Sequence, residues 1–308
     1  MFNRDNWKEI FETIQKNKLR TFLSGFTVAL GILIFVVLYG FGNGLKNTFN
    51  EFFGNDATNV LYLFPGRTSE PYMGYKANRR IEFDNSDLKD IKENFAMFLD
   101  YVTPQISKGA LAKYGQESDN YSIRAAAPSI QEAEKIILME GRFINQSDIE
   151  NKTKNIVIGR LVKKDLFKGA NAIGEFIDLG GSSYRVVGVF QDDGGDREER
   201  IIYMSYTTRQ RLDKATDKVD QIIIGFKPEI GYAGAMALEK SLNTYFREKK
   251  YISPKDPNGM FIRNVTDQLK QNQQFAGVLQ IIISFFCIGT LIAGIIGISN
   301  IMVFVVKE

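Results

Sequence analysis

The sequence predicts an α+β domain that lies outside the cytoplasm and is held between two transmembrane helices. Two long apolar runs near the ends of the chain predict the helices, and strand and helix patterns between these runs predict the domain. Basic residues beside both runs indicate that both ends of the chain lie in the cytoplasm. A length of 308 residues leaves room for all of these parts.

The first apolar run extends from Thr21 to Leu45 and contains no charged residue. About 20 apolar residues are enough to cross the hydrocarbon core of a bilayer. A cleaved signal peptide is the alternative, but the run is longer than a usual signal-peptide core and no A-x-A-like cleavage site follows it. We therefore predict the first transmembrane helix over residues 21–45.

The second apolar run extends from Phe275 to Val306, also without charge. At about 1.5 Å per residue, a helix of this length is longer than a bilayer core is thick. The helix is therefore predicted to begin outside the membrane, near Thr266–Leu269, as a stalk. The second transmembrane helix with its stalk is then assigned to residues 271–306.

Small residues recur in both runs at the spacing of helix contacts. They are Gly25 and Ala29 in the first run and Gly289, Ala293 and Gly297 in the second. Such stripes allow helices to approach closely in lipid, although the spacing is also common by chance in apolar sequences.

The first twenty residues are basic and also show apolar residues at helical spacing. The basic residues are Arg4, Lys8, Lys16, Lys18 and Arg20. The apolar residues are Trp7, Ile10, Phe11 and Ile14. This pattern predicts an amphipathic helix over residues 1–20 on the inner membrane face, with packing on a partner protein as an alternative. Because Lys307 follows the second run, residues 46–270 are predicted to lie outside.

Residues 46–270 show a strand–helix–strand pattern at each end. The first pattern comprises a strand at Asn59–Phe64, a helix with Ser86 as its N-cap, and a strand at Tyr101–Ser107. The second comprises a strand at Asp220–Phe226, a helix at Tyr232–Lys249 and a strand at Met260–Val265. The two patterns predict two β-α-β units.

The stretch between these units is richer in strands. Its predicted elements are a strand at Asn155–Gly159, a short helix at Arg160–Phe167, a hairpin at Glu175–Phe190 with a glycine turn, and a strand at Ile201–Met204. We interpret residues 110–215 as a subdomain inserted into the first.

No catalytic, cofactor-binding or metal-binding residue is predicted. The chain has no histidine, which excludes the catalytic arrangements that depend on imidazole and most zinc sites. Its one cysteine, Cys287, lies in an apolar run, so no intrachain disulfide forms. The phosphate-binding motif G-x-x-x-x-G-K-[ST] does not occur. A net charge of +3 is too small to indicate nucleic acid.

Three local clusters are candidate sites. The acidic segment Asp192–Glu199 offers oxygen ligands for calcium, but a solvated loop is favoured because the spacing is not that of an EF-hand. Glu132 and Glu134 have the spacing of a helix surface. The segment Tyr72–Lys76 could stack on carbohydrate or nucleic acid, and a mobile loop is the favoured interpretation.

Several short runs resemble the MacB/FtsX family of ABC transporter permeases, in order and spacing, over essentially the whole chain. They are Lys18–Thr21, Glu140-Gly-Arg-Phe143 with Asp148, Ile156–Gly159, Asp165–Phe167, Ala172–Gly174, Tyr184–Phe190 and Ile298–Met302. The chain departs from the pattern at Ala172, where proline is usual, and at Glu175, where lysine is usual. These departures lie at a turn and on a surface.

The resemblance implies a periplasmic core with a porter-like part, residues 46–109 and 216–270, and a sabre-like insertion, residues 110–215. It implies a permease subunit of the bacterial inner membrane that transmits motion from a separate cytoplasmic ATPase and exports a drug, peptide or similar substrate. A homodimer or heterodimer of permeases, a periplasmic adaptor and an outer-membrane channel are the implied partners.

The family has four spans, so residues 307–308 are expected to begin a cytoplasmic loop whose remainder is absent from this chain. A fragment of this kind is expected to be incompetent for transport by itself. A lipoprotein-releasing permease of the same family and a two-span membrane-anchored sensor are the alternative functions.

Overall fold

A computed structural model describes residues 15, 18–54, 58–214 and 216–307. The chain forms two compact units, one of residues 52–269 and one that combines residues up to 51 with residues from 270 onward. The amphipathic helix predicted for residues 1–20 lies almost entirely outside the described residues.

The helices of the described residues are α1 (Lys18–Gly54), α2 (Asn85–Asn94), α3 (Ile130–Ala133), α4 (Gln146–Asn151), α5 (Arg160–Phe167), α6 (Tyr206–Leu212), α7 (Gly231–Lys249) and α8 (Val265–Lys307). The strands are β1 (Val60–Pro65), β2 (Phe83–Asp84), β3 (Leu99–Tyr114), β4 (Glu117–Ala126), β5 (Ile137–Gly141), β6 (Asn155–Gly159), β7 (Phe176–Leu179), β8 (Ser182–Gln191), β9 (Ile201–Ser205), β10 (Lys218–Val219), β11 (Gln221–Phe226) and β12 (Met260–Asn264).

Helices α1 and α8 contain the two candidate membrane spans, which lie at Gly25–Leu45 and Val265–Ile296 by length and composition. The two helices contact each other in their apolar parts. A Cβ atom built on Gly42 would lie 2.9 Å from Ile283 Cδ1, so a glycine there permits close approach.

The contact between α1 and α8 does not involve Gly25 or Gly289 of the predicted small-residue stripes, and the role of those stripes in helix contacts stays a prediction. No other part of the described chain lies within 4 Å of a Cβ atom built on Gly25 or Gly289. The glycines at the contact are instead Gly31, Gly42 and Gly294. Sequence spacing shows that a small-residue stripe exists, but it does not show which stripe faces the neighbouring helix.

The unit of residues 52–269 is built on one ten-stranded sheet. The strand order is β12-β1-β11-β3-β4-β9-β6-β8-β5, and β7 pairs with both β3 and β8. Strands β2 and β10 form a separate two-stranded ribbon. Mixed strand and helix content agrees with the predicted α+β class.

Both predicted β-α-β units are present, and they interleave. Strands β12, β1, β11 and β3 are antiparallel to their neighbours, so each unit places a strand between the two parallel strands of the other unit. This arrangement is a split β-α-β, or ferredoxin-like, topology. Helices α2 and α7 pack against one face of these four strands.

The N-cap of α2 is Asp84 rather than the predicted Ser86. The Asp84 carboxylate accepts the backbone N–H groups of Ser86 and Asp87, and the Asp87 carboxylate accepts the N–H of Asp84. This reciprocal pair is a capping box, which satisfies otherwise unpaired donors at the first turn. The Ser86 hydroxyl donates to Asp84 and takes no part in capping.

The insertion closes into a ring of paired strands in the order β3-β4-β9-β6-β8-β7 and back to β3. Strand β3 belongs to both parts, because residues 99–105 pair with β11 and residues 105–114 pair with β4. Helix α5 packs its buried Val162, Leu166 and Phe167 into the core that the ring encloses. The division into porter-like and sabre-like parts at the predicted boundaries stays a prediction.

Candidate functional site

A polar site in the described part of residues 52–269 surrounds the first turn of α8, and we call this site the stalk root. It consists of Tyr232, Glu239, Asn264, Thr266 and Asp267. Asn264 ends β12 and its side-chain oxygen accepts the backbone N–H of Asp267 at 3.2 Å. An asparagine in this position caps the helix by accepting a donor that lacks an intrahelical partner.

Within the stalk root, two hydrogen bonds between side chains join helix α7 to the start of α8. The Tyr232 hydroxyl donates to Asp267 Oδ1 at 2.7 Å, and Asn264 Nδ2 donates to Glu239 Oε2 at 2.9 Å. The hydrogen bond to Asp267 raises the pKa of the Tyr232 hydroxyl above its usual value. A third bond runs from the Thr266 hydroxyl to the backbone oxygen of Thr58, at 2.7 Å.

Apolar packing also holds the stalk root. Val265 is 4% exposed and belongs to a core cluster with Val60, Tyr62 and Ile223 on the sheet face opposite α2 and α7. Leu269, one helical turn further, packs against the same cluster. The first turn of α8 is thus joined to the domain by hydrogen bonds on one side and by buried side chains on the other.

Helix α8 continues from this root without interruption to Lys307. Residues 266–274 contain neither glycine nor proline, so nothing in the sequence breaks the hydrogen-bond ladder there. The predicted start of the helix near Thr266–Leu269 is confirmed, at Val265.

The motif Glu140-Gly-Arg-Phe143 with Asp148 forms a buried cap at the start of α4, which we call the Asp148 cap. Asp148 is 1% exposed, and its carboxylate accepts two hydrogen bonds from the Arg142 guanidinium, at 2.6 and 3.2 Å. The carboxylate also accepts the Asn145 backbone N–H, the Thr153 hydroxyl and the Asn155 amide. Although burial opposes ionisation, these donors hold the pKa of Asp148 far below its usual range.

The Glu134 side chain is 12% exposed and lies in an ionic cluster, so its predicted position on a helix surface is wrong. Its carboxylate accepts hydrogen bonds from Arg124 Nη1 at 3.0 Å and from the Tyr203 hydroxyl. Arg124 also pairs with Glu198 at 2.8 Å. We call Arg124, Glu134, Glu198 and Tyr203 the Glu134 cluster. Burial raises the pKa of Glu134, and the hydrogen bonds from Arg124 and Tyr203 offset this only in part.

The acidic segment Asp192–Glu199 is only partly the solvated loop that was predicted. Glu199 is 2% exposed and accepts a two-pronged hydrogen bond from Arg160 at 2.8 and 3.0 Å, while Glu198 joins the Glu134 cluster. Two of its carboxylates therefore form ion pairs with arginines of the domain. Among the described residues, no group of three or more acidic or cysteine side chains is placed to hold a metal ion.

The segment Tyr72–Lys76 contains a closed turn. Backbone hydrogen bonds join Tyr72 and Tyr75 in both directions, at 3.1 and 2.9 Å. The Tyr75 ring stacks on Tyr251 with centroids 5.4 Å apart, and the Arg79 guanidinium lies 4.5 Å from the Tyr75 ring. The Tyr75 side chain therefore packs on the domain itself.

Together these features define an α+β domain joined to a long apolar helix that can enter a membrane. The family described as "MacB-like periplasmic core domain" matches residues 21–238, and the chain belongs to that family. It is a MacB-like periplasmic domain of an ABC transporter permease.

Two relatives are described as macrolide export ATP-binding/permease protein MacB. The protein of Bdellovibrio bacteriovorus is 24% identical over 303 residues, which cover 97% of this chain and 46% of the relative. The protein of Mannheimia succiniciproducens is 26% identical over 316 residues, which cover 100% of this chain and 47% of the relative. The chain spans about half the length of the curated relatives it matches.

Two solved structures have a similar fold. The periplasmic region of MacB from Actinobacillus actinomycetemcomitans gives a TM-score of 0.58 at 20% identity, over 72% of this chain and 95% of that structure. The extracellular domain of the noncanonic ABC-type transporter YknZ from Gram-positive bacteria gives 0.55 at 14% identity, over 67% of this chain and 100% of that structure. These likenesses concern the fold alone.

Proposed function

We propose that this chain is a permease subunit in which helix α8 transmits motion between a cytoplasmic ATPase and the extracytoplasmic domain. The observation that carries the proposal is the stalk root: α8 runs unbroken from Val265 and is hydrogen-bonded to α7 in its first turn. A continuous helix that is fixed at one end to a packed domain can act as a lever.

The chemistry of the ATPase lies outside these 308 residues, because the sequence contains no phosphate-binding loop. We assign it to a separate cytoplasmic subunit. When nucleotide draws the cytoplasmic subunits together, the attached helices change position, and each α8 displaces the domain to which it is rooted. The substrate, a drug, peptide or similar compound, is acted on outside the cytoplasm and need not pass between the helices.

The proposed setting is the inner membrane of a bacterium, with both ends of the chain in the cytoplasm. Basic residues before the first run and Lys307 after the second support this orientation. The assembly we propose is a dimer of permeases with the ATPase, an adaptor and an outer-membrane channel. Export as a function is supported by the names of the two relatives, which are macrolide exporters.

The test is to break the lever without altering the domain. Gln271→Pro removes a backbone donor in the middle of the unbroken stretch and costs about 3 kcal/mol of local helix stability. In the full-length permease with its ATPase, we expect Gln271→Pro to abolish transport-linked activity while basal ATP hydrolysis stays close to that of the wild type.

Gln271→Ala is the matched control, since it removes the same side-chain contacts but favours the helix. It should keep transport at normal levels of protein in the membrane. Full transport by the proline variant, at the same membrane level, would show that motion does not pass through a continuous α8.

A further inference from the structure

A groove of about 690 Å³ opens beside the two-stranded ribbon of β2 and β10, where the chain returns from the insertion to β11. Its apolar lining comprises Leu212, which is 39% exposed, together with Pro65 and the almost fully buried side chains of Ile81, Ile106 and Val219. Its size falls within the range of small-molecule sites, which combine an apolar lining with a few polar groups. All of its lining residues belong to the domain, and none belongs to the stalk root.

The acidic side chains of the groove already have partners. Asp213 receives a two-pronged hydrogen bond from Arg209, at 2.7 and 3.0 Å, and lies 3.5 Å from Lys108. Although burial opposes ionisation, these two cations hold the pKa of Asp213 below its usual value. Glu82 pairs with Lys218 at 2.6 Å, and the Asp220 carboxylate accepts the backbone N–H of Ser107.

Two cations in the groove have no carboxylate partner among the described residues. They are Arg80 and Lys214, and both are exposed. The lining contains four basic and three acidic side chains, so the groove has a net positive charge. A planar guanidinium suits a carboxylate or phosphate because it donates two parallel hydrogen bonds to such a group.

We propose that this groove binds a small anion with an apolar body, in which the body packs on Leu212 and the anionic group pairs with Arg80. Lys214 supplies a second, weaker attraction at the rim. Binding in this groove requires neither α8 nor the ATPase, so its test is separate from the test of force transmission through α8.

The probe is 2-naphthylacetate, which carries a carboxylate on an apolar ring system, and the neutral control is 2-naphthylacetamide. Binding is measured by titration calorimetry on the full chain in nanodiscs of zwitterionic lipid, with empty nanodiscs as the background. We expect the acetate to bind at least about tenfold more tightly than the acetamide, a difference of about 1.4 kcal/mol. A third probe, 2-naphthyl phosphate, shows whether a phosphate is preferred to a carboxylate.

Arg80→Gln should weaken binding of the acetate about tenfold and bring it to the level of the acetamide. Arg211→Gln is the matched control: Arg211 is exposed at the end of α6, close in sequence to the groove, but does not line it. This control should bind as the wild type does. Lys214→Gln, at an exposed turn position, should weaken binding about threefold and serves as a second, independent variant.

Three results would overturn the proposal. They are equal binding of the acetate and the acetamide, absence of binding by either anion up to about 1 mM, and unchanged affinity in both Arg80→Gln and Lys214→Gln. A urea midpoint equal to that of the wild type confirms that each variant is folded.

Discussion

The Asp148 cap and the Glu134 cluster each bury a carboxylate in the strand-rich part of the domain, but their partners have different origins. Every donor to Asp148 lies within seven residues of it in the chain, from Arg142 to Asn155. The Tyr203 hydroxyl that meets Glu134 comes from 69 residues away, on strand β9. Tyr203 is also the register partner of Arg124 on β4.

This difference in origin accompanies opposite electrostatic outcomes. Asp148 is surrounded by donors that favour its charged form, and its pKa falls despite burial. Glu134 has fewer donors, and its pKa rises because burial outweighs them. Donors from a local motif can therefore compensate a buried carboxylate almost completely. A carboxylate between distant elements depends on how closely the packing of those elements places its donors.

The largest effect is expected for Asp148→Asn. The amide keeps the shape of the carboxylate but cannot accept hydrogen bonds from all five donor groups, so we expect a loss of about 3 kcal/mol in the free energy of unfolding. Pulse proteolysis in urea on the full chain in nanodiscs measures this loss. Glu150→Gln is the control on the same helix, at an exposed position, and should change stability by less than about 0.5 kcal/mol. Equal losses in the two variants would contradict the central role of the Asp148 cap.

A smaller effect is expected for Tyr203→Phe. The ring keeps its contacts with Phe143 and Phe190, but Glu134 loses the donated hydroxyl. We expect a loss of about 1–2 kcal/mol, measured in the same way. Tyr184→Phe is the matched control, because this buried tyrosine makes no hydroxyl hydrogen bond to the described part of the chain. A loss in Tyr203→Phe no greater than in the control would show that the hydrogen bond from Tyr203 to Glu134 does not stabilise the fold.

The stability contributed by Asp148 and by Glu134 should change with pH in opposite directions. Asp148 has a lowered pKa, so its contribution to stability is present above the unfolded pKa of about 3.9 and is lost as the pH falls. Glu134 has a raised pKa, so its contribution is present below the unfolded pKa of about 4.3 and is lost as the pH rises through the folded value. The cost of Asp148→Asn should therefore shrink on acidification, and the cost of Glu134→Gln should shrink as the pH rises towards 7. Unfolding titrations in urea across this range check both, and slopes of the same sign would contradict the comparison.

The parts of the fold that sequence reasoning identified are those with strong local patterns. Strands β1, β11 and β12 are short apolar runs, and helix α7 has apolar residues at helical spacing. Strand β4 and the second half of β3 were missed because Lys108–Asn120 is largely polar. These residues are extended because each strand is the hydrogen-bonding partner of the other, and β-strand preference depends on such partners.

In the stalk root, too, one feature could be predicted from the local sequence and another could not. The start of α8 could be placed from sequence because helix formers without glycine or proline precede an apolar run. Its attachment could not, because Tyr232 lies 35 residues before Asp267 and nothing in its own surroundings marks it as a partner. Likewise, the face of α1 that meets α8 depends on helix rotation, which spacing alone leaves open.

The sequence by itself determined the apolar helices and the strands and helices of the β-α-β units, since each of these elements depends on side chains a few residues apart. The tertiary structure alone decided the closure of the strand ring, the burial of Glu134 and the placement of Arg80 and Lys214 in the lining of one groove. The physical reason is that these features depend on register between distant strands, and register follows from the packing of the whole core.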